Sequence, residues 1–266
     1  MIRRVGADLE RARTLVAELG CGLGHPMTIV ATTVSTNDDA SRGAREGAPH
    51  GATWVAEDQT AGRGRRGRSW LAVPGECVLA SVLLRVACSP QRLPQIALLA
   101  GLAVRDAVAR ASGADDVRIK WPNDVVVADR KLAGVLVEGA TVGARVEAVV
   151  VGVGINVHAR SFPDEIADRA TSVALVTRGD PPDRAVVLAH FLASLDRDLH
   201  VVVSRGLGLL RARLEAADAL AGRRVRSEAG DEGIAAGIDD DGRLMVRRDG
   251  GVIARLGAGE VFLVRT

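Results

Sequence analysis

Four short segments carry the residue types that polar chemistry needs. The first is Gly62-Arg63-Gly64-Arg65-Arg66-Gly67-Arg68, with Gln59 before it and Trp70 after it. Glycine lets a backbone approach an anion and supplies N–H donors, while arginine forks bind phosphate or carboxylate oxygens in pairs. The second runs Lys120-Trp121-Pro122-Asn123-Asp124 and continues at Arg130-Lys131-Leu132-Ala133-Gly134. Its Pro-Asn-Asp corner and Asp129-Arg130 turn predict a hairpin that brings Asn123, Asp124 and Lys131 near one another. The third, Gly152-Val153-Gly154-Ile155-Asn156, ends an apolar strand with two glycines, which implies the close approach of a backbone or a ligand. The fourth, Ser35-Thr36-Asn37, opens a helix and offers either an N-cap or a cluster of hydroxyls for a polar ligand.

Each segment alone has a plainer reading: a solvated loop, an ordinary hairpin, a β-bulge, a cap. The literal GxGxxG of the first segment is not a dinucleotide fingerprint, because a Pro74-Gly75 turn follows where a helix is required. As an RGG-type nucleic-acid patch it lacks a second basic patch and an aromatic platform. The chain has no Walker loop, kinase signature set or GxSxG elbow. If ATP binds, it binds in another way.

Composition narrows the choice. The 266 residues include 35 basic and 33 acidic side chains, a net charge of +2, too balanced for a protein that coats nucleic acid or anionic membrane. Only Lys120 and Lys131 of the 35 basic residues are lysines, and the only asparagines are Asn37, Asn123 and Asn156. A compositional bias toward arginine explains the scarcity. It also marks the survivors as positions where no substitute serves. The three cysteines and five histidines show no metal-ligand spacing, so no protein-built metal site is expected. Apolar stretches such as 96–104 are too short for a bilayer, and the charged N-terminal stretch does not read as a signal peptide. A cytoplasmic protein that does not enter membranes is expected.

The elements that must position these segments follow from periodicity. Helices are predicted over 7–20, 37–46, 92–111, 183–204 and 207–219. Strands are predicted over 27–34, 52–57, 77–86, 117–121, 124–128, 132–139 and 146–153. The last four are joined by short turns, which favours antiparallel pairing. From Gly222 onward, three turn signals separate five short strands, the pattern of a small appended β-barrel. The fold class is therefore α+β: a mixed, largely antiparallel sheet with helices over residues 1–219, then a small β-barrel over 220–266.

Taken together and in this order, the segments resemble the biotin–protein ligase family. The match covers roughly residues 27–160 and includes Glu138, and the tail fits that family's SH3-like C-terminal domain. The resemblance implies a catalytic domain related to class II aminoacyl-tRNA synthetases and lipoate ligases. It implies ATP and Mg²⁺ as cofactors and biotin as substrate. Biotin would be activated as biotinyl-5′-AMP, with release of pyrophosphate. It would then pass to one lysine on the biotin carboxyl carrier domain of acyl-CoA or pyruvate carboxylases. By the same resemblance Arg65, Lys131 and Asp124 are catalytic. Ser35, Thr36, Asn37, Gln59, Gly62, Arg63, Arg65, Trp70, Lys131 and Gly134 surround biotin. Arg65, Arg68, Lys120, Asn123, Lys131 and Asn156 serve ATP. Only about 25 residues precede the first matching strand, so no helix-turn-helix module and no DNA binding are expected. A monomer or weak homodimer is expected. Rival readings are a lipoate ligase on the same fold, a non-catalytic sensor, and an RNA-binding protein.

Overall fold

The architecture is described from a computed structural model, which describes residues 6–142 and 145–264. Two short helices, α1 (Ala7–Glu10) and α2 (Ala12–Glu18), lead into β1 (Met27–Val30) and α3 (Thr36–Arg45). Strands β2 (Thr53–Ala56) and β3 (Cys77–Leu84) flank the arginine-rich loop, and α4 (Leu93–Ser112) follows. Four strands come next: β4 (Arg118–Lys120), β5 (Asp124–Val127), β6 (Arg130–Val142) and β7 (Arg145–Asn156). Helices α5 (Val173–Val176), α6 (Arg184–Arg205) and α7 (Arg211–Ala217) complete the larger part. The tail supplies β8 (Arg224–Ser227), β9 (Glu232–Ile238), β10 (Leu244–Arg247), β11 (Ile253–Leu256) and β12 (Val261–Leu263).

The first seven strands form one sheet in the order β1-β2-β3-β7-β6-β5-β4, and only the β1–β2 pair is parallel. The tail forms a second, antiparallel sheet in the order β11-β10-β9-β8-β12. The α+β expectation is met. The apolar residues of the second sheet, among them Val225, Leu244 and Val261, join the core of the first part rather than closing a core of their own.

Strand alternation explains how the large sheet serves two purposes. On β3, Val78, Ala80, Val82 and Leu84 pack toward the main core with α4 and α6, as do Val149, Val151, Val153 and Ile155 of β7. The intervening residues face the other way. Leu83, Ala148 and Val150 form a separate small cluster with Ala40 of α3. Past this cluster, around the first turn of α3, the second face carries Ser81, Gly152, Gly154, Gly134 and Glu138. That strip is where the site lies.

Three expectations need correction. The first helix breaks at Arg11, which divides α1 from α2. The last long helix is shorter than 207–219: Gly208–Leu210 is a 3-10 turn, and α7 begins only at Arg211. Gly206 at φ 78° and Gly208 are poor helix formers, which accounts for the delay. Ser35 occupies the N-cap position of α3, but its side chain makes no capping hydrogen bond.

Candidate functional site

Two adjoining cavities lie against this face of the sheet. The smaller, of about 50 Å³, has walls from the start of α3 (Ser35, Thr36, Asn37), from Gln59 and the loop (Arg63 to Arg65, Trp70), and from glycines of the sheet (Gly134, Gly152, Gly154). The larger, of about 520 Å³, runs past Arg68, Lys120, Asp124 and Asn156 to Arg169 and Phe262. Gly64, Arg65, Trp70, Asn123 and Lys131 line both, so they stand at the junction.

The glycines of the third segment have a direct steric explanation. A Cβ on Gly152 would lie 2.0 Å from Asn37 Oδ1, and one on Gly154 would lie 2.4 Å from the Trp70 ring. The backbone or ligand expected at this strand end is thus replaced by two side chains, Asn37 and Trp70, which form walls of the small cavity. A Cβ on Gly134 would meet the Lys131 side chain and Trp70 at 3.1 Å.

At the junction, Lys131 Nζ lies 2.7 Å from Asp124 Oδ1 and 5.5 Å from the centre of the Trp70 ring. The predicted hairpin creates this pairing. Its two-residue turn is Ala128-Asp129, one residue earlier than the expected Asp129-Arg130, with φ of 48° and 63°, a conformation that favours glycine. Arg223 forks onto the Asp129 carboxylate at 2.5 and 2.8 Å and so ties the turn to the C-terminal segment. The Lys131 backbone is fixed as well: its N–H donates to Arg169 at 2.7 Å, and its carbonyl accepts from Thr171 at 2.9 Å.

The loop arginines are matched to carboxylates. Arg63 contacts Asp38 at 2.7 Å and Glu138 at 3.1 Å, Arg66 pairs with Glu228, and Arg68 forks onto Glu260 at 2.7 and 2.8 Å. Arg65 differs. Its guanidinium donates to Asn123 Oδ1 at 3.1 Å. Burial, helped by the nearby Arg66 charge, lowers its pKa from the ordinary arginine value, while Glu260 and Asp124 oppose that shift. An arginine remains charged at such a shift. Arg65 is thus a partly desolvated cation aimed at the junction, where an anion interacts with it more strongly than at an exposed site.

Most residues singled out by sequence meet at the two cavities, with some qualifications. Gly62 is not among the lining residues; its carbonyl accepts from the Trp70 N–H at 2.9 Å and so shapes the loop. Asn156 lines the large cavity, but its amide donates to the Thr171 carbonyl at 2.9 Å. Cys77 Sγ sits 3.6 Å from Asn156 Oδ1, and burial pushes this thiol up to about 12, which makes it an inert neighbour. The sequence reading missed Ser81, Leu136 and Arg169. Ser81, the lone hydroxyl in the run CVLASVLL, and Leu136, two residues from Gly134, were accessible through alternation. Arg169 carries no local signal.

Among the described residues, no three His, Cys, Asp or Glu side chains are grouped to hold a metal ion, and no helix is long and apolar enough to cross a membrane.

Comparison with known proteins agrees with this geometry. Residues 31–156 match the biotin/lipoate A/B protein ligase family, and residues 222–264 match the biotin protein ligase C terminal domain. A biotin–[acetyl-CoA-carboxylase] ligase of Mycobacterium tuberculosis is 38% identical over 257 residues, covering 93% of this chain and 92% of that protein. A bifunctional ligase/repressor of Bacillus subtilis is 35% identical over 223 residues, which are 82% of this chain and 68% of that protein. The solved biotin protein ligase of Aquifex aeolicus in complex with biotin and ATP superimposes with a TM-score of 0.77. It has 30% identity and covers 90% of this chain and 99% of its own.

Proposed function

This chain belongs to the biotin/lipoate A/B protein ligase family as an enzyme of the biotin–[acetyl-CoA-carboxylase] ligase type, and from that premise we propose the course of its reaction. Biotin enters the small cavity with its bicyclic ring against Thr36, Gln59 and Trp70 and its carboxylate at the junction. ATP lies in the larger cleft, near Arg68, Lys120 and Asn123. A carboxylate oxygen attacks the α-phosphorus, the bond to pyrophosphate breaks, and biotinyl-5′-AMP forms. The amine of a carrier lysine then attacks the acyl carbon, the bond to AMP breaks, and the amine loses a proton. Asp124, in the large cleft beside Lys131, serves as the acceptor for that proton.

The observation that carries this reading is the junction. A narrow compartment and a wide one meet at Lys131 and Arg65, two cations where a carboxylate and a phosphate must be brought together. Cations fixed there offset the repulsion of the reacting anions and stabilise the charge of the transition state. The wall of Trp70 and the loop shields the mixed anhydride from water. The donor set suits Mg²⁺ that arrives on the triphosphate, since such ions keep water and phosphate ligands and take few from protein. Asn123, Asp124 and Asn156 line the cleft and would hold it by exchanging their present partners Arg65, Lys131 and Cys77 for the ion, which would add charge neutralisation at the phosphates.

The test is transfer of biotin to a carboxylase carrier domain, read by mass spectrometry of the acceptor lysine. Modification is expected only with ATP and Mg²⁺ together; modification by lipoate instead would replace this reading with the lipoate one. The glycine walls give a second expectation. Gly154→Ala forces Trp70 to move. Such overpacking costs about 1–3 kcal/mol, and the displaced ring narrows the cavity, so biotin affinity is expected to fall by at most about 150-fold. Isothermal titration measures it, and unchanged affinity would mean that Trp70 does not wall the biotin site.

A further inference from the structure

Glu138 belongs to the matched segments but has no role in the reaction just described. It lies on β6 at the edge of the small cavity, with its side chain about one-third exposed, at 36%. One oxygen, Oε2, accepts from Asn37 Nδ2 at 2.6 Å and from Arg63 at 3.1 Å. The opposite side of the Asn37 amide, Oδ1, is 2.6 Å from Ser81 Oγ. Ser81 Oγ in turn lies 2.8 Å from Thr36 Oγ1, which is 3.1 Å from Gln59 Oε1.

An ionised carboxylate only accepts hydrogen bonds. The Asn37 atom facing Glu138 must therefore be the amide nitrogen, which leaves Oδ1 toward Ser81. Ser81 has a single proton and gives it to Oδ1. Thr36 then sends its own proton inward, to Ser81 or to Gln59, and presents only lone pairs to the cavity. Gln59 Oε1 accepts from the Thr36 N–H at 2.7 Å, so its amide nitrogen is turned away from Thr36. We infer that Glu138 is a positioning residue that sets the polarity of this hydrogen-bond chain. The small cavity then offers an acceptor at Thr36 and a donor at Gln59 to a cyclic urea, which has N–H donors beside a carbonyl. Without the carboxylate, Asn37 is free to turn over, Ser81 to donate to Thr36, and the fixed pattern is lost.

This inference rests on biotin as the occupant of the small cavity, so the experiment begins with wild-type binding. Absence of wild-type biotin affinity would count against the functional reading itself. Given that affinity, Glu138→Ala is expected to weaken biotin binding by about 10- to 30-fold, the scale of a mispaired buried hydrogen bond. The KM for ATP should stay within about twofold, because Glu138 does not line the large cleft. Glu138→Gln, whose amide oxygen still accepts from Asn37, should recover most of the affinity. The Ala variant should also discriminate less against a biotin analogue methylated on a ureido nitrogen, which lacks one donor. Equal losses for biotin and ATP, or a Gln variant as weak as Ala, would overturn the inference. The second result would assign the effect to the Arg63 ion pair.

Discussion

Replacing Lys131 by alanine is expected to slow formation of biotinyl-adenylate by about 10²- to 10³-fold, with the fold retained. The Lys131 ammonium is at the junction of the two cavities, 2.7 Å from Asp124 and over the Trp70 ring. Its removal has two effects of the same sign. The cation that offsets repulsion between carboxylate and α-phosphate is lost. The Asp124 carboxylate is also left without its partner in the cleft proposed to receive a triphosphate. The fold has little reason to suffer, because the side chain is 38% exposed and its backbone bonds to Arg169 and Thr171 are retained. Lys131→Arg keeps the charge but brings a planar fork into a crowded corner, where even a Cβ on Gly134 would sit 3.1 Å from the lysine chain. Partial recovery at most is expected. Pyrophosphate–ATP exchange measures the first step alone, and circular dichroism checks the fold. Exchange at the wild-type rate would remove Lys131 from the mechanism.

Lys131 also shows what the sequence makes legible. Rarity and spacing pointed to it, and the hairpin that joins it to Asp124 follows from local turn chemistry. The five tail strands and the long helix α4 were readable for the same reason: their periodicity is local. Contacts across long separations were not. Glu138 meets Asn37 from 101 residues away, while Arg66 and Arg68 find Glu228 and Glu260 at separations of 162 and 192. A loop rich in arginine looks like a free anion trap when its distant carboxylates cannot be seen. Ser35 is a converse case. Its residue type and position predict a capping side chain, yet the hydroxyl makes no cap bond, and the residue serves as cavity wall.

The largest expected effect on stability lies outside the site. Arg184, the first residue of α6, is 3% exposed and holds two carboxylates at once. It forks onto Glu57 at 2.6 and 3.0 Å and onto Asp8 at 2.7 and 2.8 Å. Glu57 is itself buried and also accepts from the Gly6 N–H at 2.6 Å. Removing one member of such a cluster leaves an uncompensated buried charge, so Arg184→Ala is expected to cost about 3–5 kcal/mol. In a chain of this size each kcal/mol lowers Tm by about 2–4 °C. Combining Arg184→Met with Glu57→Leu removes the more deeply buried of the two orphaned carboxylates, leaving Asp8, and should recover part of that loss, which separates charge burial from packing. The network also predicts a pH dependence. Burial alone would raise the Asp8 pKa, but hydrogen bonds and charge from Arg184 outweigh it and hold the group below its ordinary 3.8. The unfolded chain therefore binds this proton at a higher pH than the folded one. The contribution is complete above the ordinary value and is lost as pH falls through the folded value. Urea titrations across that acid range should show a shallower pH slope in Arg184→Ala than in wild type; equal slopes would mean that Arg184 does not hold Asp8 ionised. Glu57 is two residues before Gln59, so the same cluster anchors the strand end from which the small cavity is built.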